Sequence, residues 1–416
     1  MNVLFSCGRT AATLGRNTSG YCSCLQGGGN AGWSSAENRQ NLDIRVTGTF
    51  SLLWIYISAN NISNDSTCLF RKNGANGNIL ITVPASSGAT TLEDTSNTDT
   101  VAVDDAINYA MNTGVGSGSQ SMTIQMPACQ FAPTSGTTCV CGIGADITHT
   151  SANDSYPTFQ SGGSAPTETE ANAQNTIAFS ATIDEFYITA TGNTRSDTVN
   201  LYFRINGASG NLTVQYASGG GTGEREDTTN SDSVADGDEV NVLLDQNGGS
   251  GTLTARTMKV EVTATDAQWA FAGNHSGRTQ NSALTRYHPT SGILVDESTE
   301  INKQIKVSNS YTWSDLYAYC TEWSLNSGAL TLRSRKNVGN GNLVLSFTGT
   351  GTLSDLANSD SLGDEDEFNY SAVTGGTSGS VTLRSISSML AAPAGPKSRP
   401  LFNPSSPTFA STRRYL

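Results

Sequence analysis

The chain has 416 residues and a net charge of −13, with 36 acids against 23 bases. So acidic a surface repels phosphate backbones, which excludes a nucleic-acid-binding body. No apolar run reaches the eighteen or so residues that span a bilayer. Charged residues are only 14% and hydrophobic residues 36%, while glycine alone numbers 43. Glycine, with the abundant Ser, Thr and Asn, ranks low among helix formers. The composition therefore predicts thin cores built from short strands and tight turns.

The opening Met1-Asn2-Val3-Leu4-Phe5-Ser6-Cys7 lacks the basic and apolar regions of a secretory signal. The protein is expected to be made in a host cytoplasm, with no membrane partner. Residues 1–35 read as an arm that resembles the later linkers, and residues 36–132 as a first β-domain.

This domain contains Arg71-Lys72-Asn73-Gly74-Ala75-Asn76-Gly77-Asn78-Ile79. The block returns at Arg204 and at Arg335, at offsets of 133 and 131 residues. Four more blocks keep the same order. Asn38-x-Gln40 matches Asn172-x-Gln174 and Asn302-x-Gln304, and Leu53-Trp54 matches Phe186-Tyr187 and Leu316-Tyr317. Asp94-x-x-Asn97-x-Asp99 matches Asp227-x-x-Asn230-x-Asp232 and Asp355-x-x-Asn358-x-Asp360. Asp105 to Asn108 matches Asp238 to Asn241 and Asp366 to Asn369. An ordered set of blocks at one period marks a repeated unit.

A Gly/Ser/Thr-rich linker is expected over 133–170 and a second domain over 171–266. In that domain Ile177, Phe179 and Ala181 alternate with polar neighbours, the pattern of a half-buried strand. Strands are also predicted at Leu201 to Ile205, Leu212 to Tyr216, Glu239 to Leu244 and Leu253 to Val262. Asn206-Gly207 suits a hairpin corner that needs positive φ. A second linker (267–299), a third domain (300–390) and a Pro-rich C-terminal arm (391–416) complete the chain. The expected fold class is all-β: three tandem homologous β-sandwich or jelly-roll domains joined by long Gly/Ser/Thr-rich linkers. If each linker packs on the domain before it, residues 1 to 33 have no such domain and reach a neighbouring subunit.

The search for chemistry returns little. His149, His275 and His288 lie in linkers and read as solvated, with no G-x-S-x-G nucleophile elbow beside them. Dense acids at Glu224 to Asp227 and Asp364 to Glu367 are not matched across the copies as a glycosidase pair would be. The repeated D-x-x-N-x-D offers oxygens to Ca²⁺ but lacks EF-hand spacing, and Asp and Asn also cap turns on their own. Arg71, Arg204 and Arg335 are expected to pair with repeated acids. Six of the eight cysteines form two clusters, Cys7…Cys22-x-Cys24 and Cys129…Cys139-x-Cys141; Cys68 and Cys320 stand apart. Disulfides, free thiols and a thiolate metal site all remain open. No catalytic residue and no cofactor are expected, and the metal question stays open.

With Arg-x-Asn-Gly, D-x-x-N-x-D and Asp-x-[Ile/Val/Phe]-Asn in this order, the chain resembles the tandem β-sandwich modules of bacteriophage virion structural proteins, of decoration or fibre type. Asp236-Gly237-Asp238-Glu239-Val240 in the second copy is nearest to that pattern, while Val103-Asp104-Asp105 and Asp364-Glu365-Asp366 lack its glycine. The Gly-Asp-x-Val feature is also similar to jelly rolls of the tumour-necrosis-factor and C1q type. That similarity implies threefold packing, here within one chain. The resemblance implies a non-enzymatic structural protein on the exterior of a virus particle, acting as capsid decoration, cement or appendage subunit. Its partners would be other copies of itself and other virion proteins in a large assembly. The alternatives are a host-receptor or glycan-binding fibre protein, for which Trp33, Trp269, Trp313 and Trp323 are candidate contacts, and an extracellular filament or surface-layer subunit.

Overall fold

The computed structural model describes residues 3–6, 12–22, 24, 33–44, 46–134, 138–149, 153–157, 167–245, 248–264, 268–288, 290, 292–293, 296, 298, 300, 304–306, 310–363 and 366–391. The tail expected as a Pro-rich arm lies outside them beyond Ala391. The first unit runs β1 (Val3–Ser6), β2 (Ala12–Gly15), β3 (Ser19–Cys22), β4 (Leu42–Asp43), β5 (Gly48–Asn60), β6 (Ser66–Lys72), β7 (Ala75–Val83), β8 (Thr90–Val101), β9 (Ala106–Asn112) and β10 (Ser121–Pro133). The second runs β11 (Thr138–His149), β12 (Asn175–Thr176), β13 (Ala181–Asn193), β14 (Val199–Ile205), β15 (Ala208–Tyr216), β16 (Gly223–Asp227), β17 (Asp232–Val234), β18 (Glu239–Asp245) and β19 (Leu253–Ala264). The third runs β20 (Gln268–Asn281), β21 (Thr285–His288), β22 (Gly292–Ile293), β23 (Ile305–Lys306), β24 (Tyr311–Trp323), β25 (Leu330–Lys336), β26 (Gly339–Phe347), β27 (Gly351–Leu362), β28 (Glu367–Thr374) and β29 (Ser380–Ala391). Short 3-10 turns at Glu37–Arg39 and Glu170–Asn172 precede β4 and β12.

Each unit is two facing sheets. In the first, β1-β10-β5-β8 oppose β3-β9-β6-β7, with β2 also on β10 and β4 on β9. The second repeats this as β11-β19-β13-β16 against β12-β18-β14-β15, and the third as β22-β20-β29-β24-β27 against β21-β28-β25-β26. Apart from the β6–β7 hairpin and its counterparts, the long strands from β5 to β10 alternate between the sheets, and the last strand lies between the first strand and β5 or its counterpart. That order is a jelly roll. The pleat drives it. In β15, Leu212, Val214 and Tyr216 point inward while their neighbours face water. Three separate cores result, one per sandwich.

Two expectations are corrected. Ile177 and Phe179 are buried as their alternation requires, yet only Ala181 of that run lies in a strand. The turn Ile177 makes with Asp238 O and Gly237 N takes its backbone hydrogen bonds instead. The stretches expected as arm and linkers also carry strands. β1, β2 and β3 pair with β10 and β9, β11 runs along β19, and β20 along β29. Each such stretch therefore completes the sandwich that follows it, and the described part of residues 1 to 33 packs on its own unit. The run Gln268-Trp269-Ala270-Phe271-Ala272-Gly273 satisfies its backbone by pairing with β29.

Candidate functional site

The residues repeated three times converge on one hairpin corner per unit. Ile205 and Ala208 pair across the two-residue turn Asn206-Gly207, where φ is 51° and 77°. Asn206 Nδ2 donates to Asp238 Oδ1 at 2.7 Å, and Glu239 N donates to Asn206 Oδ1 at 2.9 Å. Asn73 with Asp105 and Asn337 with Asp366 do the same. This explains why Arg-x-Asn-Gly and the later Asp travel together in the sequence.

Beside the turn, each repeated arginine makes a two-pronged ion pair. Arg71 Nε and Nη2 donate to the two oxygens of Glu37 at 2.7 and 2.9 Å. Arg204 grips Glu170, and Arg335 grips Glu300, in the same way. The expectation that these arginines pair with acids holds in kind, but the acid is the glutamate just upstream of Asn-x-Gln and not one of the repeated aspartates. The bond from Arg71 holds the Glu37 carboxyl below its usual range against the opposing effect of burial. Tyr21, Tyr156 and Tyr287 lie 5.7, 5.9 and 5.9 Å from the three guanidinium carbons. A bidentate, stacked arginine is a clamp on the upstream segment rather than a ligand hand.

The D-x-x-N-x-D acids are spent on backbone. β7 and β8 are edge strands of opposite sheets, and each edge carries unpaired groups. Asp99 Oδ1 accepts from Asn78 N at 2.8 Å and Oδ2 from Ile79 N at 3.0 Å. Asp94 Oδ2 accepts from Leu80 N at 2.9 Å, while its Oδ1 accepts from Ser96 N and Asn97 N, each at 3.1 Å. Asp232 and Asp227 repeat this; in the third unit Asp355 does the same and Asp360 Oδ1 accepts from Asn342 N, but Leu343 N donates to Ser334 Oγ, whose hydroxyl bonds Asp360 Oδ2. Burial works to raise the Asp94 carboxyl, and the bonds from Leu80, Asn97 and Ser96 more than offset it, leaving it lowered. Oxygens that face N–H hydrogens are turned away from a cation, so the motif stitches the sandwich edge. Among the described residues no group of three or more His, Cys, Asp or Glu is placed to hold a metal ion.

The core differs between units at two facing positions. In the first, the Tyr109 hydroxyl bonds Cys129; in the third, Tyr370 OH lies 2.5 Å from Ser388 Oγ, which also accepts from Trp313 Nε1 at 2.8 Å. The second unit has Val242 and Val260 there, so phenol and polar partner come and go together. Cys22, Cys24, Cys68 and Cys129 are buried in the first core, and Cys320 in the third. The Cys7, Cys139 and Cys141 side chains lie outside the described residues. The histidine expectation is corrected for two of three: His149 and His288 are buried on strands, 4% and 1% exposed, and His149 Nδ1 lies 2.5 Å from Ser155 Oγ. The His275 side chain is outside the described residues.

A bond between units was not anticipated residue by residue. Lys259, on the outer face of β19 in the second unit, reaches Asp43 of the first: Nζ lies 3.5 Å from Oδ2 and 3.4 Å from the carbonyl oxygen. It also lies 3.1 Å from Glu224 Oε2 and 5.7 Å from the Tyr187 ring centre. At the next junction Tyr317 OH donates to Asp236 Oδ1 at 3.0 Å, β12 packs on β29 and β20, and Met389 packs against the second core. Tyr187 and Tyr317 hold the same place after the β-bulge of β13 and of β24. One face therefore receives the preceding unit in both cases, a heterologous, head-to-tail contact. Below Lys259 on that face, burial together with the Glu185 and Asp184 carboxylates pushes Glu261 up to about 7.

No family model and no curated protein matches the chain. Solved structures do align with it, two of them as follows. One is a chain from the atomic structure of Sulfolobus Turreted Icosahedral Virus, at 14% identity and a TM-score of 0.17, covering 91% of each chain. The other is from an archaeal virus described by a triple jelly roll fold and turret assembly, at 13% identity and a TM-score of 0.16, covering 91% of this chain and 90% of that one. Scores of this size carry no weight, and the jelly-roll assignment rests on the strand order itself.

Proposed function

We propose that the protein is a non-enzymatic structural subunit on the exterior of a virus particle, of phage type, serving as capsid decoration or as part of an appendage. The observation that carries the reading is the use made of the repeated polar residues. The thrice-repeated Arg, Asn and Asp side chains hold turns, edges and upstream segments, while Lys259 and Tyr317 hold one unit to the next. A chain that spends its repeated chemistry on rigidity and on head-to-tail docking is suited to building. The acidic, Ser/Thr/Gly/Asn-rich surface and the weight of jelly-roll architecture fit an exposed particle protein whose partners are copies of itself and other virion proteins.

The receptor- or glycan-binding alternative requires exposed aromatics gathered at a tip. Trp313 is fully buried, and Trp33 and Trp323 pack against their own cores. The Trp269 side chain lies outside the described residues. Mass spectrometry and immunogold labelling of purified particles test the reading. Label over the head supports decoration, and label on a tail or fibre supports an appendage. Label on cells or free filaments with none on particles overturns the virion reading.

A further inference from the structure

We propose that the three units carry a charge code, on one edge position and one face position each, that fixes which unit docks on which. The edge position is the second residue of the short strand beside the 3-10 turn. Register places Asp43 opposite Ala106, Thr176 opposite Glu239 and Lys306 opposite Glu367, so these three residues are equivalent. The face position is the neighbour of the residue after the bulge. Register places Ala128 beside Trp54, Lys259 beside Tyr187 and Ser387 beside Tyr317. Edges thus read Asp, Thr, Lys along the chain, and faces read Ala, Lys, Ser.

Two of the nine edge–face pairings are made along the chain. Asp43 meets Lys259, anion to cation, with the lysine side chain 1% exposed. The Thr176 strand packs on the strand that bears Ser387, neutral to neutral. The code also forbids one pairing. An edge of the Lys306 type would set a second cation against Lys259, whose own side chain is 1% exposed although the edge side of the contact is partly open (Asp43 is 36% exposed), and like charges there repel. The face of the second unit thereby accepts the first unit's edge and rejects the third unit's edge of any second copy. This is specificity by exclusion, the device that keeps heterologous contacts from propagating in the wrong order. Glu224 gives Lys259 a further acidic contact from its own unit, at 3.1 Å, which holds the ammonium on that face.

The test uses the full chain. Asp43→Asn and Asp43→Lys are made in the wild type and in Lys259→Ser, which installs the residue type of the third face. Urea midpoints of peptides from the first and second units are read by pulsed hydrogen exchange. With Lys259 present, the lysine edge is expected to open the junction at least tenfold more than the asparagine edge. In the Lys259→Ser background Glu224 is left facing the edge, so the lysine edge is expected to be no worse than the asparagine edge. Equal effects in the wild type, or an unchanged lysine penalty in Lys259→Ser, overturn the proposal. Should Asp43→Lys fail to fold, the cycle of Asp43→Asn with Lys259→Ser still decides: effects that do not add support the pairing, and effects that add sink it.

Discussion

Gly77 and Asp99 stand so close that a Cβ built on the glycine would lie 2.3 Å from Asp99 Oδ2. The same approach recurs between Gly210 and Asp232 at 2.3 Å and between Gly341 and Asp360 at 2.4 Å. The glycine is there to let the carboxylate reach the backbone N–H groups just beyond it. Gly77→Ala is expected to push Asp99 off Asn78 N and Ile79 N and to cost the first unit about 2 kcal/mol, from overpacking and weakened buried hydrogen bonds. Three domains need not unfold as one transition, so the loss is read in first-unit peptides by hydrogen exchange in urea. The second and third units should keep their midpoints, and a loss shared equally by all three would count against this local role.

Val338 occupies the place of Gly74 and Gly207 in the third hairpin, at φ 59° and 61% exposed. Left-handed backbone costs an L-residue roughly 1–2 kcal/mol, and a β-branched one is a poor occupant. Nothing in its exposed position offsets that. Val338→Gly is therefore expected to stabilise the third unit by about 1 kcal/mol, even allowing for the added freedom of the unfolded chain. A lowered midpoint for third-unit peptides would show that the valine side chain contributes more than its backbone costs.

These two positions show how far the sequence could be read. The period of about 130 residues, the Asn-Gly corner and the pairing of the repeated arginines were legible, because each is a local pattern copied three times. The acid that meets Arg71 was harder to find, since Glu37 lies 34 residues upstream and pairing at that distance needs the fold. The strands β11 and β20 were hidden by composition: their Gly, Ser, Thr and Asn content is that of a loop, and only pairing with β19 and β29, far along the chain, reveals them. Lys259 and Asp43 stand 216 residues apart in the chain and are not repeated, so nothing in the sequence marked them as partners.

Ser388 serves both Tyr370 OH and Trp313 Nε1 in a dry core. Ser388→Val removes the shared partner and leaves two buried donors to find others. Unsatisfied buried groups cost about 1–3 kcal/mol each, so the third unit is expected to lose about 3 kcal/mol. The equivalent change is already present in the second unit as Val260, where Val242 replaces the tyrosine. Tyr370→Phe combined with Ser388→Val should recover part of the loss, because one of the two orphaned donors is then gone. Urea unfolding of the single and double variants checks this, and a double variant no better than Ser388→Val alone would refute the pairing.

Glu261 carries the pH prediction. Burial first, then the hydrogen bond and negative charge of Glu185 and the charge of Asp184, raise its carboxyl from 4.5 to about 7. The folded protein therefore holds this proton more tightly than the unfolded chain does. Stability from the bound proton is fully present below about 4.5, declines as pH climbs between the two values and is gone above about 7. Glu37, Asp94, Asp105, Asp227 and Asp366 are shifted the other way, so their contributions fade only at acid pH, whereas Glu239 of the second unit, raised by burial and by the charge of Glu170, acts in the same direction as Glu261. The second unit should lose stability from pH 5 to pH 8. The ceiling is about 1.4 kcal/mol per pH unit for one proton, and the partial exposure of Glu261 keeps the slope below it. Glu261→Gln, which keeps the shape and removes this titration, should reduce the slope, leaving the part that Glu239 carries, and match the wild type near pH 5. Second-unit urea midpoints at pH 5, 6.5 and 8 decide it: a flat wild-type profile, or a Gln variant with the wild-type slope, means that another group governs that range.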